Sequence, residues 1–148
     1  MSLATLCNRN VVYTDQDAGI VEVARLMRER HVGSVIVVDG AGKPIGIITD
    51  RDLVIEVIAN EVNAGSILLK DIMTPGPVIL AESEDTGEAL KQLRDRGIRR
   101  APLVDAEGLL SGIISIDDIL QHLSQDLREL VSLIDNEQQQ ETAVRDRP

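Results

Sequence analysis

Phenylalanine and tryptophan are absent from the chain of 148 residues, and Tyr13 is its one aromatic side chain. A planar ligand must therefore be held by aliphatic side chains and backbone groups, and the stacking platforms used on single-stranded nucleic acid are missing. Cysteine is almost as scarce. Cys7 alone excludes an intrachain disulfide and any cysteine-built zinc cage, and it fits a reducing compartment. Positive charge is also short, with 15 Lys and Arg against 25 Asp and Glu, a net charge of −10. That disfavours nucleic acid, whose binding is dominated by neutralising phosphates. The basic cluster Arg94, Arg96, Arg99 and Arg100 is the local exception. No apolar run, residues 35–38 and 45–48 included, approaches the ~20 residues of a membrane helix, and no basic stretch followed by an apolar one opens the chain. A cytoplasmic protein is expected, with Met1 and Ser2 given no functional weight.

What is present is a duplication. Gly46-Ile47-Ile48-Thr49-Asp50-Arg51-Asp52 returns 66 positions later (112 − 46) as Gly112-Ile113-Ile114-Ser115-Ile116-Asp117-Asp118. The same offset pairs Val12 with Val78, Glu22 with Glu88, Arg30 with Arg96, Val38 with Val104 and Gly42 with Gly108. Self-similarity at a fixed period marks a repeated structural unit. Hydrophobic residues make up 43% of the chain, enough for a packed domain built from two small halves.

Each half has the same reading. Residues 3–10 look like an irregular lead-in, and residues 11–13 a short strand. Ile20, Val23, Ala24 and Met27 recur at helical spacing, and the β-branched runs 34–38 and 45–48 lack alternation, as strands buried on both faces do. Asp39-Gly40-Ala41-Gly42 joins those two as a hairpin. Leu53, Val54, Val57 and Ile58 then form the stripe of a second helix, and residues 60–66 a polar linker. The second half repeats this, with a strand from Val78, a helix turning Thr86, Ala89, Leu90 and Leu93 inward, and strands near 102–104 and 110–114. The fold class is α+β: two β-α-β-β-α repeats related by a pseudo-twofold, with small sheets packed against each other and helices outside. A half of about 55 residues is marginal alone, so the two should share a core. The expected divisions are 3–62, 67–125, and 126–148 as a helical extension with a disordered tail. In the extension Leu120, Leu123, Leu127, Leu130 and Ile134 follow a 3-4-3-4 spacing, which fits either packing on its own domain or docking on a second copy. Beyond Asp135 there is too little apolar content to require order.

Thr49 followed three residues later by Asp52, and Ser115 by Asp118, is a helix-start signature in which hydroxyl and carboxylate cap the backbone. The same atoms suit a second use. Helix-start N–H groups favour an anion, and a carboxylate just inside can accept both hydroxyls of a ribose, so a nucleoside phosphate would satisfy both.

Two copies of Gly-Ile-Ile-(Thr/Ser)-x-x-Asp, each after a strand ending Val-Asp, with Ile72-Met73-Thr74-Pro75-Gly76-Pro77-Val78 opening the second, resemble a tandem cystathionine-β-synthase (CBS) domain pair over residues 3 to 125. The type resembled is the stand-alone prokaryotic one, often called a Bateman module. The resemblance implies a regulatory, disc-shaped homodimer whose clefts hold AMP, ADP, ATP or S-adenosylmethionine as regulatory ligand, with no required cofactor. It implies that Asp52 and Asp118 hold riboses and Thr49 and Ser115 contact phosphate. Backbone near Val12 and Val78 and the strands that begin at Ser34 and at Arg100-Ala101-Pro102 would sandwich the base. With the resemblance added, the ligand reading overtakes the capping one, although one hydroxyl can serve both.

The two copies differ in charge. Copy one has Arg51 in its signature but Gly33-Ser34 before its central strand; copy two has Arg99-Arg100 there and Asp117 in the signature. Phosphate is expected between arginines of both copies, because an acidic chain needs local positive charge to hold a polyanion; the bland alternative leaves Arg99 and Arg100 as solvated surface residues. Asp50 and Asp117 favour a monophosphate or a cationic ligand such as S-adenosylmethionine over a triphosphate. His31 and His122 fall short of a metal site, and no phosphate loop, nucleophile elbow or Cys/His dyad is visible, so neither metal nor catalytic residues are expected. The expected function is an adenosine-ligand sensor signalling in trans to an effector protein. The alternative is a degenerate pair kept for dimerisation or docking.

Overall fold

In the computed structural model, which describes residues 1–146, Met1–Ser115 form one compact unit and the chain from Ile116 forms another. The first repeat runs β1 (Tyr13–Asp15), α1 (Ile20–Arg30), β2 (Ser34–Val38), β3 (Pro44–Thr49) and α2 (Asp50–Asp52), which continues as a π-helical segment, Leu53–Ile58. A 3₁₀ turn at Ala64–Ser66, α3 (Leu69–Ile72) and β4 (Thr74–Pro75) lead to the second repeat, β5 (Leu80–Ala81), α4 (Thr86–Arg96), β6 (Arg100–Val104) and β7 (Leu110–Ser115). The second unit is α5 (Ile116–Arg145), so both repeats follow the expected β-α-β-β-α order. The sheets are β1-β2-β3-β4 and β5-β6-β7, with β1/β2 and β5/β6 parallel and both hairpins antiparallel.

Local chemistry explains the duplicated elements. Ile20, Val23 and Met27 bury one stripe of α1, and Ala89 and Leu93 that of α4. Asp85 caps α4 by accepting from the Gly87 N–H at 2.9 Å. Both helices end on a left-handed residue, His31 at φ 53° and Gly97 at φ 65°. This gives His31 a conformational job, since histidine tolerates that region better than a β-branched residue does. In the hairpin turns, Asp39 accepts from the N–H groups of Ala41 and Lys43 at 2.9 and 3.0 Å, and Asp105 from those of Glu107 and Leu109 at 3.0 and 2.9 Å. Gly42 and Gly108 follow at φ 83° and 80°. The Lys43 N–H is the largest influence holding the Asp39 carboxyl below its ordinary value.

Several expectations are corrected. β2 is buried throughout, but β3 alternates between buried and half-buried residues, because Ile45 and Ile47 face the less covered side of their sheet. The stripe after α2 is narrower than a 3.6-residue period implies. The Ala59 N–H bonds the Val54 carbonyl and the Val62 N–H that of Val57, both five residues back, at 2.8 and 3.0 Å. That wider turn keeps Val57 buried and leaves Val54 and Ile58 exposed. Past Asp135, where nothing required order, α5 continues to Arg145. Gln, Glu and Ala there are good helix formers, and Glu141 pairs with Arg145 at i,i+4. The last two residues of the expected tail lie outside the described residues.

The lead-in segments are exchanged between repeats. Leu69 of the inter-repeat segment is fully buried in the core of the first repeat with Val23, Val35, Val37 and Ile48, and β4 pairs with β3 through Ile47↔Thr74. Residues 3–10 are not irregular in their contacts. The N–H groups of Leu3 and Ala4 bond the carbonyls of Glu84 and Glu82, and Asn8 exchanges two hydrogen bonds with Ile113 at 2.9 and 3.0 Å. Leu3 is fully buried, and Arg9 pairs with Glu82 at 2.8 Å. The motif glycines are where these segments cross. A Cβ at Gly46 would stand 2.5 Å from Met73 Sδ, and one at Gly112 would stand 3.0 Å from the Asn8 carbonyl oxygen and 3.2 Å from Cys7 Sγ. Cys7 and Met73 are themselves 66 positions apart.

Candidate functional site

Antiparallel pairing puts the last residue of each hairpin opposite its first. Ser34 is the register partner of Thr49, and Arg100 that of Ser115. Directly opposed residues hold their Cβ atoms about 5 Å apart, so each hairpin end presents two of the expected contact residues together. The two ends also meet. Arg100 Nη1 donates to Ser34 Oγ at 3.1 Å, joining positions related by the 66-residue period. Ser34 is buried and Arg100 half-buried. A second link lies at the opposite ends of the hairpins, where the Leu110 N–H bonds the Gly42 carbonyl at 3.0 Å. Ser34, Thr49, Arg100 and Ser115 are therefore one cluster, containing hydroxyls from both copies and a guanidinium.

Around it the copies diverge. The Asp50 N–H bonds the Gly33 carbonyl at 3.0 Å, and Asp50 Oδ2 lies 3.2 Å from where a Gly33 Cβ would be. Glycine at 33 thus admits the Asp50 carboxylate against the backbone; in the second copy these positions are Arg99 and Ile116. Asp50 accordingly places a carboxylate beside the cluster in the first copy. Arg51 is exposed and makes no ion pair among the described residues.

The cap signature of copy one is formed. Thr49 Oγ1 accepts from the Asp52 N–H at 3.2 Å, and Asp52 Oδ2 accepts from the Thr49 N–H at 2.8 Å. One oxygen of the carboxylate anticipated for ribose is thus committed to its own backbone. Asp118 lies in the first turn of α5, in the second unit. Val12 and Val78 are half-buried, and the Val12 carbonyl accepts from the Ile36 N–H at 3.0 Å. Ala101 and Pro102 are buried in β6. Val78 lines a hollow of about 370 Å³ with Pro77, Gln92, Asp95 and Arg96, and none of the hairpin-end cluster reaches it. His122 Nε2 sits 3.6 Å from Asp126 Oδ2 one turn on, and no group of three His, Cys, Asp or Glu converges among the described residues. None of the described helices is long and apolar enough to cross a membrane.

Sequence reasoning named Ser34, Thr49, Arg100 and Ser115 singly but missed that Ser34 and Arg100 touch. Their separation by one full period was the available signal, because equivalent positions near a pseudo-twofold axis approach each other. It also missed Gly33 as the residue that makes room for Asp50.

The CBS domain pattern matches the chain twice, over residues 3–59 and 69–125. The chain belongs to the CBS domain family, as a tandem pair. Among curated relatives it is 40% identical over 121 residues to protein MK0525 of Methanopyrus kandleri, covering 82% of this chain and 62% of that one. It is also 32% identical over 113 residues to the inosine-5′-monophosphate dehydrogenase of Methanocaldococcus jannaschii, which is 76% of this chain but 22% of the enzyme. Among solved structures, the hexameric CBS-CP12 protein from bloom-forming cyanobacteria superposes with TM-score 0.73 at 26% identity, over 81% of this chain and 66% of that one. The CBS domain pair of protein MJ0100, solved with 5′-methylthioadenosine and S-adenosyl-L-methionine, superposes with TM-score 0.75 at 21% identity, over 85% and 98%. The latter likeness bears on the fold.

Proposed function

We propose that this CBS pair is a regulatory module that binds an adenosine ligand, AMP, ADP, ATP or S-adenosylmethionine, in the clefts between its repeats. It is not a catalyst; it signals in trans, as a cytoplasmic homodimer. The observation that carries the reading is the cluster of Ser34, Thr49, Arg100 and Ser115, tied across the repeats by the Arg100–Ser34 hydrogen bond. A guanidinium flanked by hydroxyls matches a phosphate or carboxylate oxygen, and Arg100 can exchange Ser34 for a charged acceptor at a gain, since charge-assisted hydrogen bonds are about twice as strong as neutral ones. Asp52 retains its second oxygen for a ribose hydroxyl, because an ionised carboxylate offers about four acceptor sites. The sugar would then sit at the start of α2 and the phosphate near Arg100.

The charge beside the cluster refines the ligand. Asp50 against Gly33 disfavours a polyanion on that side, so a monophosphate, or a sulfonium such as S-adenosylmethionine, suits the first copy better than a triphosphate. Arg100 supplies positive charge within the cluster itself.

A thermal-shift panel of AMP, ADP, ATP, NAD(H) and S-adenosylmethionine tests this. A ligand present at about 100 times its Kd adds roughly 2.7 kcal/mol, or about 10 °C for a chain of this size. Arg100→Ala should weaken a phosphate-bearing ligand and flatten its salt dependence. A second reading, a degenerate pair used only for dimerisation or docking, is favoured by the Asp52 carboxylate already capping Thr49. No shift with any ligand at millimolar concentration would favour that second reading over the first.

A further inference from the structure

Taken by itself, α5 has 30 residues, about 45 Å of helix, and it continues to Arg145, well beyond residue 125 where the CBS pattern ends. Its apolar residues lie on one seam. Leu120, Leu123, Leu127, Leu130 and Ile134 alternate at three and four residues, and Val131 and Leu133 flank them. Every residue on the opposite face between positions 121 and 136 is polar. The five seam residues are 51–63% exposed.

We propose that this seam is a self-association surface, whose occupant is the same seam of α5 in a second copy of the chain. Seven leucine, isoleucine and valine side chains at about 100 Å² each offer roughly 700 Å² per partner, close to the ~800 Å² a standard stable interface takes from each side. A 3-4 seam is complementary to another 3-4 seam, because each knob needs a hole made by four residues of a facing helix. Between residues 119 and 134 the flanking positions carry a single charge, Asp126, so nothing there selects a partner of opposite sign. This inference rests on the homodimer part of the reading above and not on its ligand.

Light scattering or sedimentation of the full chain tests it. The wild type should have twice the 16.1 kDa chain mass. L127E/L130E should weaken the dimer by at least about a hundredfold in dissociation constant, while volume-conserving L127M/L130M and opposite-face S132E leave it unchanged. A wild type that stays monomeric overturns the homodimer and the seam together. A dimer that survives L127E/L130E, or that S132E disrupts equally, overturns the seam alone. Ligand-induced thermal shifts retained in L127E/L130E show a folded first unit and report the sensor reading separately.

Discussion

Substituting Gly46 with alanine tests the exchange of segments at its tightest point. The added Cβ would stand 2.5 Å from Met73 Sδ, 3.2 Å from its Cγ and 3.3 Å from its Cε, where ordinary contact begins near 3.4 Å. Met73 must therefore retreat by about 1 Å, but α3 and the Ile47↔Thr74 pairing hold its backbone on either side. Overpacking costs about 1–3 kcal/mol, and the soft, unbranched methionine puts this case in the lower half of that range. Alanine also restricts the unfolded chain, returning about 0.5–1 kcal/mol. The expected net loss is about 1 kcal/mol, or roughly 0.5 M in urea midpoint.

The interaction with Met73→Ala is more diagnostic than that single value. Removing the half-buried methionine alone should cost about 1–2 kcal/mol, but it also removes the atoms that Gly46→Ala meets. The double variant should be no less stable than Met73→Ala, a coupling of about 1 kcal/mol measured by urea unfolding of all four proteins. Gly112→Ala is the contrasting case. Its nearest neighbour is the Asn8 carbonyl, which also accepts from the Ile113 N–H, so backbone must give and Cys7→Ala should not restore stability. Additive effects for Gly46 and Met73 within about 0.4 kcal/mol would refute the assigned contact.

Leu3→Ala, at a fully buried position, should cost about 2–5 kcal/mol and expose the second repeat to proteolysis before the first, as read by mapping the early cleavage sites. Thr49→Ala should cost about 1 kcal/mol through loss of the α2 cap, read as a lower melting temperature without ligand. Asp39 and Glu82 both have folded pKa values below their ordinary ones, held there chiefly by the Lys43 N–H and by the Arg9 side-chain hydrogen bond. Groups shifted that way contribute stability above the unfolded carboxylate pKa of about 4, and that contribution disappears as pH falls through the folded values. The melting temperature should therefore fall below about pH 4, with a shallower acid limb in Arg9→Ala, and high salt should reduce the difference because the pair is exposed.

The repeat, its element order and both hairpins were legible because period, buried strands and Asp-to-Gly turns are local signals. The exchange of residues 3–10 and 67–75 was not, since nothing local says which repeat a short lead-in will join. The burial of Leu3 and Leu69 is a tertiary choice, and the glycines at 46 and 112 hinted at close approach without naming what approaches. The π-helical turn after α2 was equally invisible, because Leu53, Val54, Val57 and Ile58 satisfy a 3.6-residue pattern on paper and only their packing selects Val57. Of the anticipated contact residues, those at hairpin ends came together because strand register fixes opposition. Ala101 and Pro102, inside a strand, went to the core.

Capping and ligand binding are not exclusive uses of Asp52, and their coupling has a sign. Its Oδ2 atom accepts from the Thr49 N–H, and for the proposed ribose this would orient the carboxylate in advance and lower the ordering cost of binding. Thr49→Ala would loosen that orientation, and Asp52→Asn would keep the shape but weaken the hydrogen bond that the carboxylate accepts. A cap alone predicts that each change lowers stability by the same amount with or without adenosine ligands. A shared carboxylate predicts that the loss grows when ligand is present, because ligand and cap then draw on one group whose two oxygens are positioned together. The difference between those two losses is the coupling free energy of the site, and a value of zero would leave Asp52 as a helix cap and nothing more.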